Sequence, residues 1–362
     1  MEGKPTKKEH LRLTTVWPGI LCLCLLFCSA DCTNAAAAAF QLWWESVLPA
    51  LFPFYICMSL LLQENVPEML GRFLKRLSGW LGLDSLALPC WLLGAAAGYP
   101  SGARLTAELG LPNEGPFCNL CSPMFLCAVI GIGMLGDIAA ALPIAVAHYG
   151  SGLLLLLCYP RPAQRMRTAV EQESNQKKGL IPIVSDGIAV MLQIGGCICI
   201  FFVASELLKQ IGVYAVLESI CRAIGLPAGL ISAMLQGMLE LTGGCAAVAA
   251  LKLPFKLSVA LCAFLVSFGG LCVFLQTRLF LCGDVRRYFF VKFVHGILAA
   301  GIAFLCAPIA PLREQPVIAQ QGGEYFINAL AGGSVFFASC VAVFGIYLMA
   351  VVMSAWIAKR QK

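Results

Sequence analysis

The apolar positions of this chain fall in long uninterrupted runs, neither alternating nor confined to one helical stripe. Runs of about 20 residues, the length that crosses a hydrocarbon core as a helix, lie roughly at 15–32, 40–62, 117–136, 138–159, 183–208, 257–281, 291–310 and 327–357. Two further apolar segments, 86–109 and 227–251, are broken near their middles by Gly98-Tyr-Pro-Ser-Gly102 and Thr242-Gly-Gly244. Non-helical backbone is tolerated at membrane depth only where protein or a wet cavity satisfies its polar groups, so both are expected to be re-entrant hairpins. The pattern predicts an all-α polytopic membrane protein with about eight spanning helices plus two re-entrant hairpins. Segments 66–80 and 209–226 read as amphipathic helices lying in the interface.

Composition sharpens this picture. The chain is 60% hydrophobic and only 12% charged, with a mean hydropathy of +0.84, whereas a soluble domain is roughly 25% charged. The net charge of +6 is small, and no basic stripe interleaved with aromatics occurs, which argues against a nucleic-acid partner. Most of the 19 cysteines lie inside apolar runs, where thiols behave as small hydrophobes. Cys118-Asn-Leu-Cys121 lacks the second pair that a zinc or redox site needs. No phosphate loop, HExxH or GxSxG motif is present, so no enzymatic activity and no metal or cofactor are expected.

The placement of charge orients the chain. With the N-terminus inside, 17 basic residues fall in cytoplasmic segments, in clusters at 4–12, 72–76, 161–178, 286–287 and 359–362; only 5 (Lys209, Arg222, Lys252, Lys256 and Arg313) fall outside. That bias predicts cytoplasmic N- and C-termini in a cell-membrane protein. The first segment has a basic head and an apolar core but no clean cleavage site, and is expected to remain as an anchor. The polar stretch 160–182 reads as a cytoplasmic linker between two halves.

The halves resemble one another. An offset of 143 residues lays 81–105 over 224–248, matching Gly82 with Gly225, Leu92 with Leu235, Gly94 with Gly237 and Ala103 with Ala246. The order span, interfacial helix, broken segment, span, span recurs with it. On the charge-derived orientation the two units start on opposite sides, as inverted-topology repeats do in secondary transporters, whose site lies where the broken segments meet. The expected organisation is an N-terminus and first anchor (1–39), a first repeat (40–159), the linker (160–182), a second repeat (183–310), and an external loop, last span and basic C-terminus (311–362).

Candidate binding residues cluster at the breaks. Ser101 and Thr242 are expected to cap the second arm of each hairpin, aiming backbone N–H groups at a cavity where an anion can bind. Glycines 98, 102, 243 and 244 let the backbone turn and a ligand approach it, although close helix packing also calls for glycine. Tyr99 shares the first break. Arg104 and Glu108, four residues apart, share a helical face: either they form an internal ion pair, or Arg104 opposes an anionic substrate with Glu108 as its resting partner. Both hold if substrate releases the pair. Glu240 has no basic residue within a turn and is the candidate ligand for a coupling proton or Na⁺, unless it reaches water or Arg278. Asn119, Ser122 and Pro123 interrupt one span, and Ser267, Gly269 and Gly270 its counterpart, with Gln276 two turns on; each polar side chain is either a ligand or an interhelical hydrogen bond. His148, beside Tyr149, reads as a span-end histidine.

These motifs carry a resemblance. Trp43-Trp44 with Pro49-Ala-Leu-Phe-Pro53-Phe, Gly98-Tyr-Pro-Ser-Gly-Ala-Arg-Leu-Thr-Ala-Glu108, Asn119-Leu-Cys-Ser-Pro-Met-Phe125, Glu240-Leu-Thr-Gly-Gly-Cys245 and Ser267-Phe-Gly-Gly-Leu-Cys-Val-Phe-Leu-Gln276 resemble the sporulation integral membrane proteins of the YlbJ type. That family belongs to the nucleoside-recognition, or Gate-domain, group and is related to concentrative nucleoside transporters. The resemblance spans roughly residues 40 to 310. It implies a role in endospore formation, moving dipicolinic acid (a planar dicarboxylate) across the outer forespore membrane. The chain departs from the family in its short connection Leu109–Phe117, in Leu120 and Cys121 within the Asn119–Pro123 run, and in Gly243. Two other functions stay open: a cation-coupled carrier of nucleosides or other small solutes, and a non-transporting membrane scaffold of sporulation.

Overall fold

The computed structural model describes residues 22–23, 25–158, 179–281 and 284–307. The predicted last span 327–357, residues 15–21 and 24 of the span at 15–32, and nearly all of the linker lie outside the described residues. Among those described, every regular element is helical, and five helices are long and apolar enough to cross a membrane: Ser29–Gln63, Ile138–Cys158, Leu180–Gln210, Phe255–Thr277 and Val285–Cys306.

The first of these, α1 (Ser29–Gln63), is one helix of 35 residues where the sequence pattern places a boundary between two spans at 33–39. The run Ala35–Ala39 explains the difference, because alanine is the strongest helix former and carries the helix through. Within α1 the turn widens to a π-helix over Trp43–Val47, just before Pro49 and Pro53, each of which withdraws an N–H from the ladder. Helix α2 (Val66–Trp80) is amphipathic and exposes Phe73, Leu77 and Trp80.

The hairpin α3 (Ala87–Ala97) and α4 (Ser101–Glu108) has arms of 11 and 8 residues. At 1.5 Å per residue neither arm reaches much more than half of a ~30 Å hydrocarbon core. The turn between them uses Gly98 at φ 81° and a cis Tyr99–Pro100 bond. The span expected at 117–136 is broken into α5 (Gly115–Cys118), an irregular stretch at 119–122, and a π-helix, Phe125–Met134. Helix α6 (Ala141–Cys158) closes the first half.

The second half repeats this order. It runs α7 (Leu180–Gln210), amphipathic α8 (Val213–Ala223), the hairpin α9 (Leu230–Leu239) and α10 (Leu241–Ala250), the broken pair α11 (Phe255–Phe268) and α12 (Gly270–Thr277), and α13 (Val285–Cys306). The offset of 143 sets Ala87, first in α3, on Leu230, first in α9. Its break is Gly269–Gly270, with φ of 84° and 72°, a conformation open to glycine and strained for other residues.

Both hairpins are seated by glycine. A side chain at Gly94 or Gly102 would overlap the Cys118 carbonyl, which fills the crevice between α3 and α4. A side chain at Gly244 would overlap the Gly237 backbone across the second hairpin, and one at Gly270 would press on the carbonyls of Gly237 and Met238, 3.0 and 3.1 Å away. Each hairpin is thus packed, backbone to backbone, on the broken helix of its own half. That packing brings the four interruptions to one place.

Candidate functional site

A cavity of about 50 Å³ lies where the interruptions meet. Tyr99 lines it from the first hairpin and Glu240, Leu241 and Thr242 from the second; Cys121, Ser122 and Phe125 line it from the first broken span, and Cys272, Val273 and Gln276 from the second. Val47, Leu51 and Ile194 of α1 and α7 complete the wall. Five residues singled out from sequence therefore share one cavity: Tyr99, Ser122, Glu240, Thr242 and Gln276.

Glu240 determines the polarity of the second hairpin. Its backbone is extended, and its carboxylate accepts hydrogen bonds from Thr242 N at 2.9 Å and Gly243 N at 2.6 Å. Glu240, rather than Thr242, is the N-cap of α10, because the chain turns helical one residue before the threonine. The first hairpin has no side-chain cap; Pro100 precedes α4, and its carbonyl accepts from Ala103 N and Arg104 N instead. Ser101 is buried as the first residue of that helix rather than the residue before it. Gly102 lies in the first turn of α4 and Gly243 and Gly244 in the first turn of α10, with Gly102 and Gly244 in backbone packing. Gln276 donates to Cys272 Sγ at 3.3 Å.

Arg104 and Glu108 stand apart from the cavity. The guanidinium meets Glu108 Oε1 at 2.6 Å, donates to Ser59 Oγ at 3.0 Å and lies 4.5 Å from the centre of the Tyr55 ring. The pair ties α4 to α1, with Glu108 39% exposed, which limits its contribution to stability to a fraction of a kcal/mol up to about 1.

Behind Tyr99 is a polar cluster that local sequence reading passes over. Lys292 on α13 is fully buried; its ammonium donates to the Asn119 carbonyl at 3.1 Å and the Tyr99 hydroxyl at 3.4 Å, and meets His295 Nδ1 at 3.2 Å. The Tyr99 hydroxyl in turn donates to the Val266 carbonyl at 2.8 Å. His148 Nε2 accepts from Cys121 N at 2.9 Å, which leaves Nδ1 to donate to Ser267 Oγ at 2.8 Å; His295 Nε2 donates to the His148 carbonyl at 2.9 Å. The two imidazoles stack with centroids 5.0 Å apart. His148 is therefore a central cross-link between the two halves, not a span-end residue. Asn119 Nδ2 donates to Thr277 Oγ1 at 2.9 Å and Tyr288 Oη at 3.0 Å.

Thr277 and Tyr288 also line a larger pocket, of about 200 Å³, with Asn113, Arg278, Asp284 and Arg287. Asn119 and its neighbours thus separate two cavities. The sequence carried one signal for this cluster: a lysine two turns into a long helix, past the arginines at its start and within its apolar part, with a histidine one turn on, is expensive in lipid and is a functional-site candidate. We expect Tyr99→Phe, which leaves the buried Val266 carbonyl without its donor, to lower stability in detergent by about 1–3 kcal/mol, read as a drop in melting temperature.

No family model matches the chain, and no solved structure matches it. Among curated proteins it is similar to the sporulation integral membrane protein YlbJ of Bacillus subtilis (strain 168), 24% identical over 315 residues that cover 75% of this chain and 76% of the relative. The chain is thus similar, along about three quarters of its own length and of the relative's, to a sporulation integral membrane protein, and its five long apolar helices fit an integral membrane protein.

Proposed function

We propose that the protein is a carrier for a small organic anion, working by alternating access, and that in sporulating cells the anion is dipicolinic acid moved across the outer forespore membrane. The observation that carries this reading is the convergence of two hairpin breaks and two broken helices on one cavity, whose mostly apolar wall carries the polar groups of Tyr99, Ser122, Glu240, Thr242 and Gln276. Discontinuous helices at the interface of repeats are how secondary transporters bring backbone dipoles and polar side chains to a solute. With both termini cytoplasmic, as the basic-residue bias favours, the two hairpins enter from opposite faces of the membrane. Tyr99, Ser122, Glu240, Thr242 and Gln276 then contact the solute.

The cavity of about 50 Å³ holds a few waters, whereas pockets for small molecules run from about 300 Å³ upward. In this reading the arrangement is occluded, and substrate enters when a hairpin parts from the opposite half. Uptake of labelled dipicolinate into proteoliposomes tests it: saturable uptake that nucleosides do not displace is expected. The buried Glu240 carboxylate on the cavity wall supports a second reading, a proton- or Na⁺-coupled carrier of another solute. Uptake of nucleosides that follows a cation gradient and ignores dicarboxylates would establish that alternative. Full sporulation in cells whose protein carries polar substitutions at both breaks would instead point to a scaffold.

A further inference from the structure

The charge best placed to receive an anion lies on α13. Among the described residues Lys292 is the one lysine or arginine that is wholly buried, and none of their carboxylates lies within ion-pairing distance of it. Its three contacts are a carbonyl, a tyrosine hydroxyl and an imidazole nitrogen, at 3.1, 3.4 and 3.2 Å. Each is an acceptor. The Tyr99 hydroxyl spends its own proton on Val266, and His295 spends its Nε2 proton on the His148 carbonyl, so both atoms facing Lys292 offer lone pairs. Three acceptors around one amino group match the three donors of an ammonium.

A buried cation held only by neutral acceptors has its hydrogen bonds but not its countercharge, and burial without that charge is unfavourable by several kcal/mol. The groups around it offer no such charge. From α6 the facing polar groups are His148 and Tyr149, from α11 Ser267, and from the broken first span Asn119 and Cys121; all are neutral in the hydrogen-bonding pattern above. Glu240 reaches the same cavity from the opposite hairpin, yet its two oxygens are turned to Thr242 N and Gly243 N. Tyr99 is what stands between: its ring lines the cavity on one side and lies 5.3 Å from Lys292 Nζ at its centre.

Resting on the carrier reading, we propose that Lys292 is the cation that selects and holds a carboxylate of the substrate, with Tyr99 as the side chain that must turn aside or relay its hydroxyl for the two to meet. Arg104 is not that group; it is ion-paired away from the cavity. The site takes anions bearing carboxylates, and a planar dicarboxylate fits it by charge better than its neutral amide.

The experiment compares pyridine-2,6-dicarboxylate with neutral pyridine-2,6-dicarboxamide as competitors for binding to the purified full-length protein, in wild type, Lys292→Met, Lys292→Arg and Arg104→Gln. Wild type is expected to prefer the dicarboxylate by about tenfold or more. Lys292→Met should erase that preference, and Lys292→Arg should keep part of it; a merely structural lysine would change overall affinity for both compounds alike. A Lys292→Met protein that folds and keeps the full preference overturns the proposal. Should the Lys292 variants not accumulate, single variants Arg104→Gln, Arg278→Gln and Arg287→Gln decide it: the preference kept in all three assigns the charge to Lys292, and its loss in any one overturns the assignment. If wild type binds and transports neither compound, the carrier reading itself has failed.

Discussion

Gly244→Ala is expected to unfold the second hairpin. A methyl group there occupies the space of the Gly237 Cα and backbone nitrogen, and backbone cannot rotate aside as a long side chain can. Relief requires α9 and α10 to separate, which also withdraws the Gly237, Met238 and Leu239 carbonyls from Gly270 on the broken helix, where they leave no room for a side chain. The penalty for overpacking is about 3 kcal/mol or more at such a contact, a large share of the 5–15 kcal/mol that holds an ordinary domain. The measurement is folded yield and melting temperature in detergent. Gly196→Ala is the matched control. It lies in the middle of α7 with nothing within 4 Å of an added methyl, and there the higher helix propensity of alanine should leave stability unchanged or raise it by up to about 1 kcal/mol. If both variants behave alike, the backbone-to-backbone seating of the hairpin is wrong.

The contrast between these glycines also shows what the sequence could and could not convey. The breaks were legible because glycine and proline inside an apolar run leave few backbone options. The first hairpin and the interruption at Gly269–Gly270 fall where those residues stand, and the one at 119–122 ends at Pro123; the second hairpin instead breaks at Glu240, just before the helical run Thr242–Gly244 that suggested it. The amphipathic helices α2 and α8 were legible for a similar reason, a local periodicity that has one physical explanation. The unbroken course of α1 was not, since polar Asp31, Thr33 and Asn34 mimic a loop while the alanines that follow sustain the helix.

The polar cluster was hidden by distance along the chain. His148 meets Ser267 across 119 residues and Lys292 meets Asn119 across 173; no spacing rule reports such contacts. Arg104 drew attention because it lies beside a visible break with a carboxylate at helical spacing. Those same features let it be neutralised locally, which removes the need for a ligand. Lys292 has no local partner of opposite sign and so is the more telling charge. The polar cluster is therefore assembled by long-range packing of the two halves: α6 and α13, which correspond under the internal offset, supply His148 and Lys292 to the same partition between two cavities.

Glu240 is where stability and transport can be pulled apart. Glu240→Ala removes both acceptors of the α10 start and leaves Thr242 N and Gly243 N buried without partners; losing a cap and stranding donors together is expected to cost about 2–4 kcal/mol. Glu240→Gln retains one acceptor oxygen for two N–H donors and should fall between Ala and wild type. Glu240→Asp is the informative change. Aspartate is a strong N-cap, so the helix start should be rescued and the melting temperature should return to near the wild-type value. Its carboxylate, however, is one methylene shorter and is drawn back from the cavity wall. If Glu240 only caps the helix, dipicolinate flux in proteoliposomes returns with stability. If it also holds a coupling proton or cation, as its place on the wall supports, Glu240→Asp melts like wild type yet transports at least about tenfold more slowly, since a misplacement near 1 Å at a working group costs one to two orders of magnitude. Wild-type flux in a fully stable Glu240→Asp protein would reduce this carboxylate to a cap and leave coupling to another group.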